Sequence, residues 1–152
     1  MNLSNNIIGF HHVSIKADNF EETLLFYQKL GFQEVHRWSL PAFNLDKCVM
    51  LKHQAIGYHL EICDKDANIP TQGRKREAGD PYIENALLHI CFTVKDAEEA
   101  RKEALEIGAT DLSNGVFTLD LVDGEKIVNV RNSLVYSPNG EVIEFLEQTT
   151  FG

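Results

Sequence analysis

The clearest periodic stretch of the chain runs from Leu87 to Val94. Leu88, Ile90, Phe92 and Val94 are apolar, and His89, Cys91 and Thr93 alternate with them. That two-residue period predicts a strand with one face on a core and the other turned toward something that accepts an imidazole. Ile7 to Lys16 repeats the design, with Val13 and Ile15 on one face and His12 and Ser14 on the other. His12 precedes Gly31 by 19 residues, and His89 precedes Gly108 by the same 19. A helical pattern fills each gap, so the chain reads as one unit written twice.

The rest of the pattern fits that reading. Asp18 or Asn19 caps a helix whose stripe is Phe20, Leu24, Tyr27 and Leu30, with Glu21 and Glu22 at its positive end. Gly31 ends it. Strands follow at Phe32–Trp38, Cys48–His53 and Gly57–Cys63, with a loop at Leu40–Asn44 between the first two. Asp96 caps a second helix, with Ala97, Ala100, Ala104 and Ile107 on its inner face, and Gly108 ends it. Val116–Val122 and Lys126–Val130 flank Asp123-Gly124, a hairpin signal. Asn132–Tyr136 continues as strand or bulge, Pro138-Asn139-Gly140 turns, and Glu141–Glu147 is the last strand. Each half is strand, helix, then three strands. Module one spans about 7–63, module two about 86–148. The intervening 64–85 is a long linker that suggests a lid or a packing arm. The whole, 1–152, is expected to be a single domain of α+β class.

Composition narrows the partners. The formal net charge of −9 argues against a general binder of nucleic acid or of an anionic membrane. Arg74-Lys75-Arg76 is a compact basic run, read as a solvated loop or as a clamp for an acidic substrate tail. No apolar run approaches a membrane span, and no signal-peptide pattern opens the chain. Cys48, Cys63 and Cys91 are odd in number and form no CxxC pair, which predicts free buried thiols in a reducing cytoplasm.

Four residues stand out once the halves are aligned. His12 and His89 occupy equivalent places in the opening strands, and Glu61 and Glu144 in the closing strands. Each glutamate lies between apolar neighbours, where an isolated carboxylate is costly. Any one of these side chains alone reads most simply as structural or solvent-facing. Their recurrence is what points to two imidazoles and two carboxylates gathered on a divalent first-row metal. His11 alternates away from His12, and His36 and His53 are expected on the surface. His59 shares a face with Glu61, as a partner behind the ligands or a substitute ligand.

His11-His12-Val13-Ser14-Ile15, then Phe26-Tyr27 and Leu30-Gly31-Phe32, with Ser137-Pro138-Asn139-Gly140-Glu141-Val142-Ile143-Glu144-Phe145 at the close, resemble the vicinal oxygen chelate superfamily. This superfamily includes glyoxalase I, bleomycin resistance proteins and ring-cleaving dioxygenases, and the resemblance is nearest to the glyoxalase I branch. It implies two tandem βαβββ modules whose curved mixed sheets enclose a metal-binding cleft. It implies His12, Glu61, His89 and Glu144 as ligands of Ni, Zn, Co or Mn, and a homodimer. The stretch Ile62-Cys63-Asp64-Lys65-Asp66 differs from the threonine- and asparagine-bearing stretch of glutathione-dependent members. Arg37, Asn129 and Arg131 are the residues available for a thiol cofactor.

The chemistry implied is proton transfer beside a carbonyl. The hemithioacetal of a 2-oxoaldehyde and a thiol would become a 2-hydroxyacyl thioester. The cation would polarise two vicinal oxygens. Glu144 would remove the carbon-bound proton and Glu61 would return it. Two rivals belong to the same superfamily: an epimerase of acyl-CoA thioesters, and a metal-independent antibiotic-binding protein of the bleomycin-resistance type.

Overall fold

Two mixed sheets, each with a parallel strand pair at one edge, carry the fold. The computed structural model describes residues 5, 8, 10–68, 79 and 89–151. The chain divides into two compact units, Met1–Thr71 and Gln72–Gly152. The class is α+β, as the sequence pattern predicts.

In the first unit the order is β1 (His12–Ala17), α1 (Phe20–Lys29), β2 (Phe32–Leu40), β3 (Leu45–His53) and β4 (His59–Asp64). The sheet order is β1-β4-β3-β2, with β1 parallel to β4 and the other pairs antiparallel. Asn19 is the cap of α1: its side-chain oxygen accepts the Glu22 N–H at 3.2 Å. Phe20, Thr23, Leu24, Phe26 and Tyr27 are the buried face. Leu30, expected in that stripe, instead closes the helix as its C-cap. The core below is Phe32, Val49, Leu51, Leu60 and Ile62. Each fully buried side chain of this size contributes about 1.5–3 kcal/mol.

In the second unit the order is β5 (Ile90–Val94), α2 (Ala97–Glu106), β6 (Thr110–Asp111), β7 (Phe117–Asp123), β8 (Lys126–Tyr136) and β9 (Val142–Glu147). The strands run β5-β9-β8-β6, with β7 also on β8 and β5 parallel to β9. The Asp96 carboxylate caps α2 by accepting the Glu98 and Glu99 N–H groups at 2.9 and 3.0 Å. Ala97 and Ala104 are fully buried, and small side chains there let α2 lie close to the sheet. Ser133, buried on β8, donates to the Ala97 carbonyl at 2.9 Å.

Several boundaries differ from the sequence reading. The first strand starts at His12, where pairing with His59 of β4 begins, so Phe10 and His11 precede it. His89 likewise stands one residue before β5. β3 extends back to Leu45, because Leu40 pairs with Leu45 across a short 3-10 turn at Pro41–Phe43. The stretch Asn132–Tyr136, read as a continuing strand or bulge, continues β8 as strand. β8 is continuous because Lys126–Asn132 pairs with β7 and Asn132–Tyr136 pairs with β9. Ile7, Leu87, Leu88, the Arg74-Lys75-Arg76 run and most of the 64–85 linker lie outside the described residues.

Candidate functional site

β9 turns Ile143 and Phe145 into the core and leaves Glu144 on the opposite face. In register with Glu144 are Cys91 of β5 and Leu134 of β8. Glu144 is largely enclosed, at 15% side-chain exposure, and its Oε2 lies 2.9 Å from His89 Nε2. Its other oxygen accepts a 2.7 Å hydrogen bond from the Asn132 side-chain amide. Asn132 is buried, and its own Oδ1 has no partner among the described residues. Cys91, expected to be buried, is exposed. Local desolvation, then the neighbouring Glu144 carboxylate, pushes its thiol up to about 12.

β4 repeats the arrangement in the first unit. Leu60 and Ile62 are buried, and Glu61 is on the other face in register with Ser14 of β1. The Ser14 hydroxyl donates to Glu61 Oε1 at 2.7 Å. The Cys63 thiol donates to the same oxygen at 3.7 Å. Cys48 of β3 sits directly across from Cys63, with the sulfurs 3.1 Å apart. Burial pushes both thiols up. So each glutamate holds one oxygen on donors from its own sheet.

His12 meets a different partner from the one alternation predicts. His11 lies outside the strand, so its side chain is free to turn toward His12, and the two Nδ1 atoms are 2.8 Å apart. His11 also stacks on His59, with ring centroids 4.9 Å apart and planes at 17°. Desolvation, then His11, Lys52 and His12, lowers the basicity of His59. With Nδ1 of His12 engaged, Nε2 is the nitrogen left for a ligand. His59 stands in register with His12 on the face of β4 that also carries Glu61, and the His11 ring packs against it.

The remaining histidines and the residues available for a thiol have partners of their own. His36 is exposed, as expected, and stacks on Trp38. His53 is half-buried, against expectation: Nε2 lies 2.9 Å from the Leu30 carbonyl and the ring packs edge-on to Phe32. Arg37 is paired with Glu34 at 2.8 Å, Arg131 with Glu147, and Asn129 donates to Asp120 at 2.8 Å.

The donor set suits a divalent cation. With metal–nitrogen and metal–oxygen distances near 2.1 Å, two ligands at right angles stand about 3 Å apart. The 2.9 Å between His89 Nε2 and Glu144 Oε2, a hydrogen-bond distance, is compatible with that separation. In the first unit, ligand atoms of Cys48, Glu61 and Cys63 all lie within 4.8 Å of one another. The sequence reading missed Asn132, Ser14 as a donor, and the Cys48–Cys63 contact. The last had a signal: two cysteines placed symmetrically about the His53–Gly57 turn.

Two α+β sheets built from the same strand–helix–strand order, each carrying a histidine and a glutamate in equivalent places, define a glyoxalase-type fold. The model of the Glyoxalase/Bleomycin resistance protein/Dioxygenase superfamily matches residues 11–128, and the chain belongs to that superfamily. Among solved structures, it is similar to a glyoxalase family protein from Enterococcus faecalis, at 27% identity and a TM-score of 0.65 over 93% of this chain and 99% of that one. The fosfomycin resistance protein FosX of Listeria monocytogenes, complexed with Mn(II), is similar at 16% identity and a TM-score of 0.59 over 94% of each chain. The trypanothione-dependent glyoxalase I of Leishmania major is similar at 19% identity and a TM-score of 0.56 over 90% of this chain and 84% of that one. No curated protein matches the chain.

Proposed function

We propose that this protein is a metal-dependent proton-transfer enzyme of the glyoxalase I type, with His12, Glu61, His89 and Glu144 as metal ligands. The observation that carries the reading is the His89–Glu144 pair, an imidazole and a carboxylate brought within hydrogen-bond distance at 2.9 Å, a spacing that neighbouring ligands on one cation can also take. A bound Ni, Zn, Co or Mn ion would act as a Lewis acid toward two vicinal oxygens of the substrate. The chain's own residues handle the proton. Glu144 takes it from carbon, and Asn132 keeps that carboxylate oriented through its other oxygen. Glu61, held through one oxygen by Ser14, returns the proton to the adjacent carbon. The substrate class is the hemithioacetal of a 2-oxoaldehyde, and the product a 2-hydroxyacyl thioester. We place the enzyme in the cytoplasm as a homodimer.

The stretch Ile62-Cys63-Asp64-Lys65-Asp66, which differs from that of glutathione-dependent members, supports a thiol other than glutathione. FosX, which shares the fold and is complexed with Mn(II), prompts a second reading: metal-dependent action on a phosphonate antibiotic. The deciding experiment is metal content by mass spectrometry on protein purified without chelator. It is followed by turnover of methylglyoxal with a panel of thiols, of acyl-CoA thioesters and of fosfomycin. About one equivalent of metal with thiol-dependent loss of methylglyoxal is the expected result. Metal-dependent turnover of fosfomycin alone moves the assignment to the second reading. No metal in any preparation overturns both and leaves the metal-independent antibiotic-binding role.

A further inference from the structure

Only Glu61 of the Cys48–Glu61–Cys63 group enters the proposed reaction, yet the three donors converge in the first unit. Cys48 is fully buried and Cys63 nearly so, in a small apolar cluster with Leu45, Ala67 and Trp38. We propose that Cys48, Cys63 and Glu61 bind a soft divalent cation of the zinc or cadmium class, distinct from the cation held by His89 and Glu144.

The spacing supports it. Around a tetrahedral ion with metal–sulfur distances near 2.3 Å and metal–oxygen near 2.1 Å, a sulfur and an oxygen stand about 3.6 Å apart and two sulfurs about 3.8 Å. Cys63 Sγ and Glu61 Oε1 are 3.7 Å apart. The Cys48 and Cys63 sulfurs, at 3.1 Å, need only part by a side-chain rotation. Sulfur selects soft ions and carboxylate alone does not, so the pair of thiols sets the preference. On binding, both thiol protons leave to solvent, two metal–sulfur bonds form, and water fills the fourth position. Two thiolates and one carboxylate exceed the charge of the ion by one. Lys16, in register with Cys63, brings a positive charge to the same cluster, where its ammonium donates to the carbonyl of Ala67.

If the reading of Glu61 as a ligand of the reactive metal holds, the two loads compete for one carboxylate. A soft ion at the thiols then weakens binding of the other.

The test uses the full chain, reduced and kept free of oxygen, with Cys91→Ser to remove the exposed thiol. Cadmium is titrated in, and thiolate-to-cadmium charge-transfer absorption is followed together with proton release. One equivalent with two protons released is expected. Glu61→Gln, which keeps both thiols, should weaken cadmium at least tenfold, and Cys63→Ser should abolish most of the band. His89→Ala should leave it unchanged, so failure of the proposed reaction and failure of this site are read separately. No charge-transfer band in the folded, reduced protein overturns the proposal, as does a band that persists unaltered in Glu61→Gln and in folded Cys63→Ser.

Discussion

His89 Nε2 and Glu144 Oε2 face each other at 2.9 Å, although one precedes the first strand of its sheet and the other lies on the last. The parallel pairing of β5 with β9 makes this contact, because it sets Cys91 beside Glu144 and leaves His89 just beyond. The two residues should fail differently when changed. His89→Ala removes a neutral nitrogen ligand and should abolish stoichiometric metal. Glu144→Gln keeps an oxygen donor and should retain metal within about tenfold while turnover falls by about 10²–10⁴, the range for loss of a general base. Metal content and kcat measured side by side on the two variants check this. Normal turnover by Glu144→Gln would remove the assigned base.

Asn132 should matter beyond its size. Its amide holds Glu144 from a buried position, and no other role for that donor is needed. Partners that orient a metal ligand are worth about 10–100-fold in metal affinity. Asn132→Ala should therefore weaken metal by that factor. It should also destabilise the metal-free fold by about 1–3 kcal/mol, since Glu144 loses its donor. Isothermal titration and denaturant unfolding separate the two effects. Unchanged metal affinity with reduced stability would make Asn132 a packing residue alone.

Much of this geometry was legible in the residue pattern. The alternation about Glu61 and Glu144 and the caps at Asn19 and Asp96 all hold in the structure. These are short-range signals, fixed by strand pleat and helix-end hydrogen bonding. What escaped depends on partners distant in sequence. His11 meets His12 from just outside β1, whose pairing with β4 begins at His12 and His59. His53 is drawn in by the Leu30 carbonyl, and Cys48 meets Cys63 through the register of β3 on β4. The choice between strand and bulge at Asn132–Tyr136 stayed open because nothing local reveals that β8 serves two neighbours, with Asn132 paired to both.

Gly31 and His53 form a second testable pair. Gly31 ends α1 with φ at +100°, and a Cβ there would stand 2.7 Å from His53 Nε2. Gly31→Ala meets two penalties: a left-handed backbone, at about 1–2 kcal/mol, and the clash with the imidazole. Removing the ring by His53→Ala should relieve the clash and leave the backbone strain. A double-mutant cycle in denaturant should then show favourable coupling between the two substitutions. Strict additivity would mean that the imidazole swings away without loss.

The Arg101–Asp111 pair ties α2 to β6 and should make part of the second unit's stability depend on acid. Arg101 donates to both Asp111 oxygens, at 2.9 and 2.6 Å, and both side chains are mostly shielded from solvent. The guanidinium hydrogen bonds hold the Asp111 carboxyl below its ordinary value, against a smaller opposing effect of burial. The native state thus holds this proton less tightly than the unfolded chain does. Its contribution is complete above the ordinary aspartate value near 4 and is lost as pH falls through the lower native value. A bidentate pair of this exposure is worth about 1 kcal/mol. Asp111→Asn should lower Tm by about 2–4 °C at pH 7. The difference from the parent should shrink as pH falls below about 4 and vanish once both forms are protonated. Thermal melts of the two proteins from pH 7 down to the acid limit of folding check it. A gap that stays constant with pH would mean that the asparagine disturbs packing rather than charge.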